Sequence, residues 1–157
     1  VDELASELSK TSATDPGVAA LYIDLDRFKL INDEHSHALG DDVLCTVAQK
    51  LADMVRPGDH VGRLGGDEFL MILSDVGRPD DAFAIALRLE NEIEEVSTLW
   101  PDGIAVAGSV GVAIARPKEG TGELLGRADA KMYERKADRR SQRETGAQGG
   151  QFRIGAR

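Results

Sequence analysis

The segment Arg63-Leu64-Gly65-Gly66-Asp67-Glu68-Phe69 runs directly into Leu70-Met71-Ile72-Leu73. A glycine-kinked polar turn therefore opens straight onto an apolar strand, which predicts a β-hairpin with arms at His60 to Leu64 and Glu68 to Leu73. Two adjacent glycines reach φ > 0 without strain and present no side chains, so a ligand can come close to the backbone. Side chains alternate across a strand, so Asp67 and Glu68 are expected to point to opposite faces and to do different work.

A second segment, Val18 to Leu25 (Val-Ala-Ala-Leu-Tyr-Ile-Asp-Leu), is an almost continuous apolar run. Its length and the Asp15-Pro16-Gly17 breaker before it predict a buried central strand. Asp24 interrupts the run near its end, and a buried carboxylate needs a metal or a partner. Arg27 and Lys29 are nearby candidates for an ion pair, and a strand-end cap is the other plain role. Two carboxylates brought together at neighbouring strand ends, Asp24 and Asp67, would suit Mg²⁺, which takes hard oxygen ligands and keeps room for waters and phosphate.

The remaining elements follow from periodicity and punctuation. Leu4 and Leu8 suggest a helix within residues 1–10. Residues 27–39 are helical in pattern and Gly40 is expected to stop them, with Gly40 or Asp41 capping a second helix through Val43, Leu44, Val47, Leu51 and Met54. Pro57-Gly58-Asp59 ends that helix. A long helix is predicted from Asp80 to about Thr98, with Phe83, Ile85, Leu87, Leu89 and Ile93 on its apolar side. Ile104 to Ala115 reads as a strand and Thr121 to about Arg140 as the last helix. Gly146 to Gly150 reads as flexible; residues 142–157 are a flexible tail or, through Phe152 to Ile154, an edge strand. The order β-α-α-β-β-α-β-α predicts an α+β fold, a mostly antiparallel central sheet flanked by helices. No linker or repeat divides the 157 residues, so one domain is expected over 1–157.

Composition restricts the function. The net charge of −9 opposes a nucleic-acid polymer as partner, whereas a small nucleotide bridged by cations remains compatible. Cys45 is the only cysteine, which rules out a disulfide framework within the chain and fits a cytoplasmic setting. No apolar run approaches the roughly 20 residues of a membrane span, so membrane association is expected only through domains outside this chain.

Gly65-Gly66-Asp67-Glu68-Phe69, a string that arises by chance in about one chain in 20,000 of this size, resembles the signature of GGDEF domains, the diguanylate cyclases. Three further stretches resemble the same family: Asp24-Leu25-Asp26-Arg27-Phe28-Lys29-Leu30-Ile31-Asn32-Asp33, Ser109-Val110-Gly111-Val112-Ala113, and the helix Ala128-Asp129-Ala130-Lys131-Met132-Tyr133-Glu134-Arg135-Lys136. The resemblance covers roughly residues 18–141. It implies a palm-like fold related to nucleotidyl cyclases and polymerases, and the condensation of two GTP into cyclic di-GMP with release of pyrophosphate. By the family pattern, Asp24, Asp67 and the backbone carbonyl of Leu25 hold Mg²⁺, with Mn²⁺ as the alternative. Glu68 is linked either to the metal or to deprotonating the attacking hydroxyl, and the sequence does not separate those roles.

For the nucleotide, the resemblance implies that Asn32 and Asp41 hold the guanine, with Leu44 beside it, and that Gly65 and Gly66 line the site. Guanine's adjacent N1–H and N2–H₂ donors match a carboxylate, although Asp41 also fits a helix N-cap. Phe28 suits either a base or the core. Lys29 supplies charge to a triphosphate, and Lys136 and Arg140, four apart on one helix face, could grip phosphates or simply solvate a helix end. Arg56-Pro57-Gly58-Asp59 stands at the family's spacing for an Arg-x-x-Asp site where product binds and inhibits, with arginine forking to phosphate and aspartate meeting guanine's donor edge.

The chain departs from the family pattern in three places. The usual Asp-x-Leu-Thr-Gly-Leu-x-Asn-Arg opening is missing, so the domain reads as N-terminally truncated. Ser36 replaces the glycine of aromatic-Gly-His, and Arg139-Arg140-Ser141 replaces Gly-Arg-Asn. His35 and His37 are not read as a metal pair, because i,i+2 residues on a helix diverge. Two substrates joined through equivalent linkages imply a homodimer with two-fold symmetry. The rival readings are a module that senses GTP or cyclic di-GMP without turnover and a structural dimerisation domain.

Overall fold

The computed structural model describes residues 17–100 and 103–149. It contains strands β1 (Ala19–Leu25), β2 (His60–Gly65), β3 (Glu68–Leu73) and β4 (Gly108–Ile114). Its helices are α1 (Phe28–Glu34), α2 (His37–Asp53), α3 (Pro79–Glu95) and α4 (Thr121–Gly149), with a 3₁₀ turn at Val96–Leu99. The four strands form one sheet in the order β2-β3-β1-β4, and every pairing is antiparallel. The predicted α+β class and the central position of β1 are therefore both observed. The expected helix in residues 1–10 and the edge strand at Phe152 to Ile154 lie outside the described residues.

Strand alternation sorts β1 between two cores. Ala19, Leu21, Ile23 and Leu25 join the larger core beneath α1, α2 and α3. Ala20 turns the other way and meets Leu70, Ile72 and Ala113 under Leu124 and Ala128 of α4. Asp24 and Tyr22 share this second face by the period of two, so the carboxylate at the end of β1 is directed towards α4.

Four boundaries differ from the sequence reading, each for a physical reason. The helix break lies at His35 and Ser36, not at Gly40. Ser36 is the N-cap of α2, its hydroxyl accepting from the Leu39 N–H at 3.1 Å, so neither Gly40 nor Asp41 caps the helix. Gly40 instead lies inside α2 at a close crossing with α1: a Cβ there would stand 1.9 Å from Asn32 Oδ1 and 3.2 Å from Phe28 Cζ. This also explains Ser36, which adopts extended backbone and needs no glycine. His35 and His37 flank the turn rather than sharing a helix.

In α3 the buried stripe is Ala82, Ala86, Leu89, Glu90 and Ile93, while Phe83 and Leu87 are exposed. The helix spans Pro79 to Glu95, and the predicted last turn to Thr98 is 3₁₀. The β4 ladder begins only at Gly108; Ile104 and Val106 are buried in the larger core without strand pairing. Finally, α4 continues past Arg140 to Gly149 and takes in residues 146–149, where the glycines predict flexibility. No glycine or proline stands between Gly126 and Gly146, so nothing in the sequence stops the helix sooner. Among the described residues no helix is long and apolar enough to cross a membrane.

Candidate active site

The tip of the β2–β3 hairpin approaches the end of β1. Gly66 has φ of 56°, the left-handed conformation that a tight turn demands, and a Cβ on either Gly65 or Gly66 would meet nothing within 4 Å. Arg63 Nε braces the turn by donating to the Gly66 carbonyl at 2.8 Å. The Leu25 N–H donates to the Asp67 carbonyl at 3.2 Å, tying the turn to the strand end. Asp24 and Glu68 are direct cross-strand partners. The hairpin thus brings Asp67 and Glu68 to the same corner of the sheet as Asp24, with Asp67 in the turn and Glu68 at the first position of β3. The Leu25 side chain is hydrocarbon and buried in the core, so only its backbone carbonyl could act as a ligand.

This corner is electrostatically strained. Burial pushes the Asp24 carboxyl above the usual range, opposed by Lys136 and reinforced by the charges of Asp67 and Asp26. Its ion-pair partner is neither Arg27 nor Lys29: Lys136 Nζ of α4 donates to Asp24 Oδ1 at 2.5 Å. Tyr22, also on this face, is pushed up to about 12 by burial and by the neighbouring Glu68. A desolvated carboxylate crowded by further acids is a place where a cation is favourable. The donor set, all oxygen, fits a small hard divalent ion supplemented by waters and phosphate. Among the described residues no group of three or more His, Cys, Asp or Glu is arranged as a closed metal cage.

A cavity of about 710 Å³ opens beside this corner. Its wall contains Phe28, Lys29, Asp67, Lys136 and Arg140, five of the residues singled out from sequence. One wall is acidic at Asp67 and the facing helix is basic. Lys136 and Arg140 do share this wall, although Arg140 is exposed and Arg140 Nε donates to Glu144 at 3.2 Å. Phe28 packs in the larger core and also lines the cavity.

The residues expected to hold the base are placed less directly. Asn32 lies against Gly40 at the crossing of α1 and α2. Asp41 is exposed on α2, and with Ser36 as the cap its carboxylate makes no side-chain hydrogen bond among the described residues. Leu44 is buried in the core. None of these three is on the wall of the cavity that holds Asp67 and Lys136. Arg143, Tyr133 and Glu144 are also on that wall, and none of them is among the site residues that the motifs imply. Arg143 follows Lys136 by seven and Arg140 by three, a spacing that would have placed it on the same helix face.

Arg56 and Asp59 are brought together at the loop after α2. Arg56 Nε donates to Asp59 Oδ2 at 3.0 Å and Arg56 Nη2 to the Ser74 carbonyl at 2.9 Å. Asp59 is buried, and its Oδ1 accepts from the Ser74 N–H at 2.8 Å. The pair therefore pins this loop to the end of β3, while the Arg56 side chain remains 54% exposed.

The family model described as "Diguanylate cyclase, GGDEF domain" matches residues 1–142. The chain belongs to this GGDEF family. The bifunctional diguanylate cyclase/cyclic di-GMP phosphodiesterase MucR of Pseudomonas aeruginosa is 35% identical over 137 residues, covering 86% of this chain and 20% of MucR. Diguanylate cyclase DgcM of Escherichia coli K12 is 39% identical over 121 residues, 77% of this chain and 29% of DgcM. The chain thus spans less than a third of the length of either curated relative. Among solved structures, the GGDEF domain of DgcB from Caulobacter crescentus, in complex with c-di-GMP, superposes with a TM-score of 0.73 at 29% identity, covering 87% of this chain and 82% of the other. The GGDEF fold inferred from the motifs is the fold observed.

Proposed function

We propose that this domain is a diguanylate cyclase that condenses two GTP molecules into cyclic di-GMP and pyrophosphate, acting as a homodimer. The observation that carries the reading is the acid corner of Asp24 and Asp67 facing Lys136 and Arg140 of α4, with Asp67 and the two basic residues lining one cavity. An acidic metal site beside a basic wall is the pattern that a metal–triphosphate substrate requires. Asp24, Asp67 and the Leu25 carbonyl would hold Mg²⁺ or Mn²⁺. The bound ion would neutralise phosphate charge and favour ionisation of the attacking 3′-hydroxyl. When phosphates enter, Lys136 is available to exchange its carboxylate partner for theirs, and Lys29 and Arg140 add positive charge. Glu68, held next to Tyr22, is a candidate for orienting the attacking group. Each subunit would present one bound GTP to the other across a two-fold axis.

Incubation with GTP and Mg²⁺, followed by separation of the nucleotides, tests this. Cyclic di-GMP is the expected product; binding of GTP without turnover would support a sensor module, and no binding a structural role. The base-recognition part of the reading has its own test. With Ser36 occupying the cap, the exposed Asp41 side chain makes no hydrogen bond among the described residues, so Asp41→Ala should leave the melting temperature unchanged while discrimination of GTP over ATP falls at least about tenfold. Unchanged discrimination would remove Asp41 from the guanine site.

Feedback at Arg56 and Asp59 belongs to the same reading. Because Asp59 already accepts two internal hydrogen bonds, the exposed Arg56 is the member of the pair better placed to engage product. Arg56→Ala should relieve inhibition by added cyclic di-GMP while leaving the initial rate nearly unchanged. Progress curves of parent and variant that slow equally as product rises would defeat the proposed feedback role.

A further inference from the structure

Around the outer edge of β4, the last strand of the described sheet, lies an ionic cluster that touches the site described so far only through Asp26. Glu90 of α3 is only 3% exposed, and it sits among apolar neighbours of the helix stripe. Its Oε1 accepts from the Val110 N–H of the edge strand at 3.1 Å, and its carboxylate takes a two-pronged grip from Arg135, with Nε at 2.9 Å and Nη2 at 2.6 Å. Arg139, one turn further along α4, joins three carboxylates at once. Its Nε donates to Asp26 Oδ2 at 3.1 Å, its Nη1 to Glu90 Oε2 at 3.2 Å, and its Nη2 to Glu94. Asp26 is itself buried and accepts from Ser109 Oγ at 2.7 Å.

We infer that Arg139 is a positioning residue for phosphate binding: clasped by Asp26, Glu90 and Glu94, it fixes the rotation of α4 that aims Lys136 at Asp24 and the cavity. This inference rests on the cyclase reading above. The geometry supports it in two ways. Arg135 and Arg139 are four apart and face α3 and the edge of β4, whereas Lys136 and Arg140, also four apart, face the cavity. The two faces belong to the same turns of one rigid helix, so a rotation that released the first would swing the second. In addition, Asp26 follows Asp24 by two residues, so the clasp ties the helix to the strand end that carries the metal ligand. A buried cluster of this kind adds little net stability over an apolar replacement of similar shape; its fixed forks define an orientation instead. Arg135 and Glu90 keep the helix docked when Arg139 is altered, so the expected loss is of orientation before fold.

The test is the affinity for an α,β-methylene GTP analogue with Mg²⁺, measured well below the melting temperature in a double-mutant cycle. Arg139→Gln should weaken binding about tenfold, and Arg139→Lys, which keeps charge without the fork, should weaken it less. In a Lys136→Met background the further loss from Arg139→Gln should shrink to about threefold or less, because Lys136 carries most of its effect and the exposed Arg140, paired with Glu144, the remainder. The same loss in both backgrounds, or no loss in folded Arg139→Gln, overturns the inference while leaving the cyclase reading intact. A parent chain that fails to bind the analogue defeats the cyclase reading and this inference with it. If Arg139→Gln melts too low to measure, Glu94→Gln, which removes the most exposed of the three acids, replaces it. A smaller weakening that shrinks further in the Lys136→Met background is then expected, and an equal weakening in both backgrounds overturns the inference.

Discussion

Asp67→Asn is expected to reduce cyclic di-GMP formation by at least about 100-fold, since loss of outer-shell partners alone costs metal sites 10–100-fold and this change removes a proposed direct ligand. The same substitution should leave the melting temperature within about 2 °C of the parent. The separation of the two effects follows from the geometry. The turn is held by backbone groups, the Asp67 carbonyl accepting from Leu25 and the Gly66 carbonyl from Arg63, and asparagine keeps both. Asparagine also keeps the shape and one side-chain oxygen, so the loss is the charge. Removing it eases the crowding that pushes Asp24 upward, so the fold has no reason to suffer. Turnover near the parent rate in the folded variant would exclude Asp67 as an essential ligand, whatever became of the remaining site.

The parts of this molecule that could be read from sequence are those written in local pattern. The hairpin follows from glycines flanked by an apolar run, and β1 from length, apolarity and a breaker. Asp24 was conspicuous because a carboxylate in such a run needs an explanation. What escaped was decided by contacts distant in sequence. Gly40 looks like a helix stop until Asn32 and Phe28 are seen to occupy the space a side chain would fill. Phe83 and Leu87 carry a hydrophobic signal, yet α3 turns them outward and buries Glu90, because Arg135 and Arg139 arrive from 45 and 49 residues away. Arg139 registered only as a departure from the family's glycine. Its consequences, a helix that continues to Gly149 and a clasp on three acids, need the fold to become visible. The partner of Asp24 is no chain neighbour but Lys136 of α4, 112 residues away.

Gly111→Ala is expected to destabilise the domain by about 3 kcal/mol or more and to lower its melting temperature by roughly 10 °C. Gly111 lies in the middle of β4, opposite Tyr22 of β1, where the strand passes directly beneath α4. A Cβ there would stand 2.0 Å from the Met132 nitrogen, 2.1 Å from the Ala128 carbonyl oxygen and 2.6 Å from the Met132 Cα. All three are backbone atoms, so no rotamer change relieves the overlap; the helix must lift. Lifting it uncovers Leu124 and Ala128, which are fully buried against Ala20, Leu70, Ile72 and Ala113. It also moves Lys136, one turn beyond Met132, away from Asp24, so nucleotide affinity should fall in whatever fraction remains folded. Gly126→Ala supplies the control on the same helix. Its Cβ would meet nothing within 4 Å, and an exposed helical glycine exchanged for alanine gains up to about 1 kcal/mol. Thermal melts of the two variants beside the parent should therefore move in opposite directions. If Gly111→Ala melts within about 2 °C of the parent, α4 does not pack on β4 as closely as these contacts require, and the placement of Lys136 beside Asp24 loses its structural support.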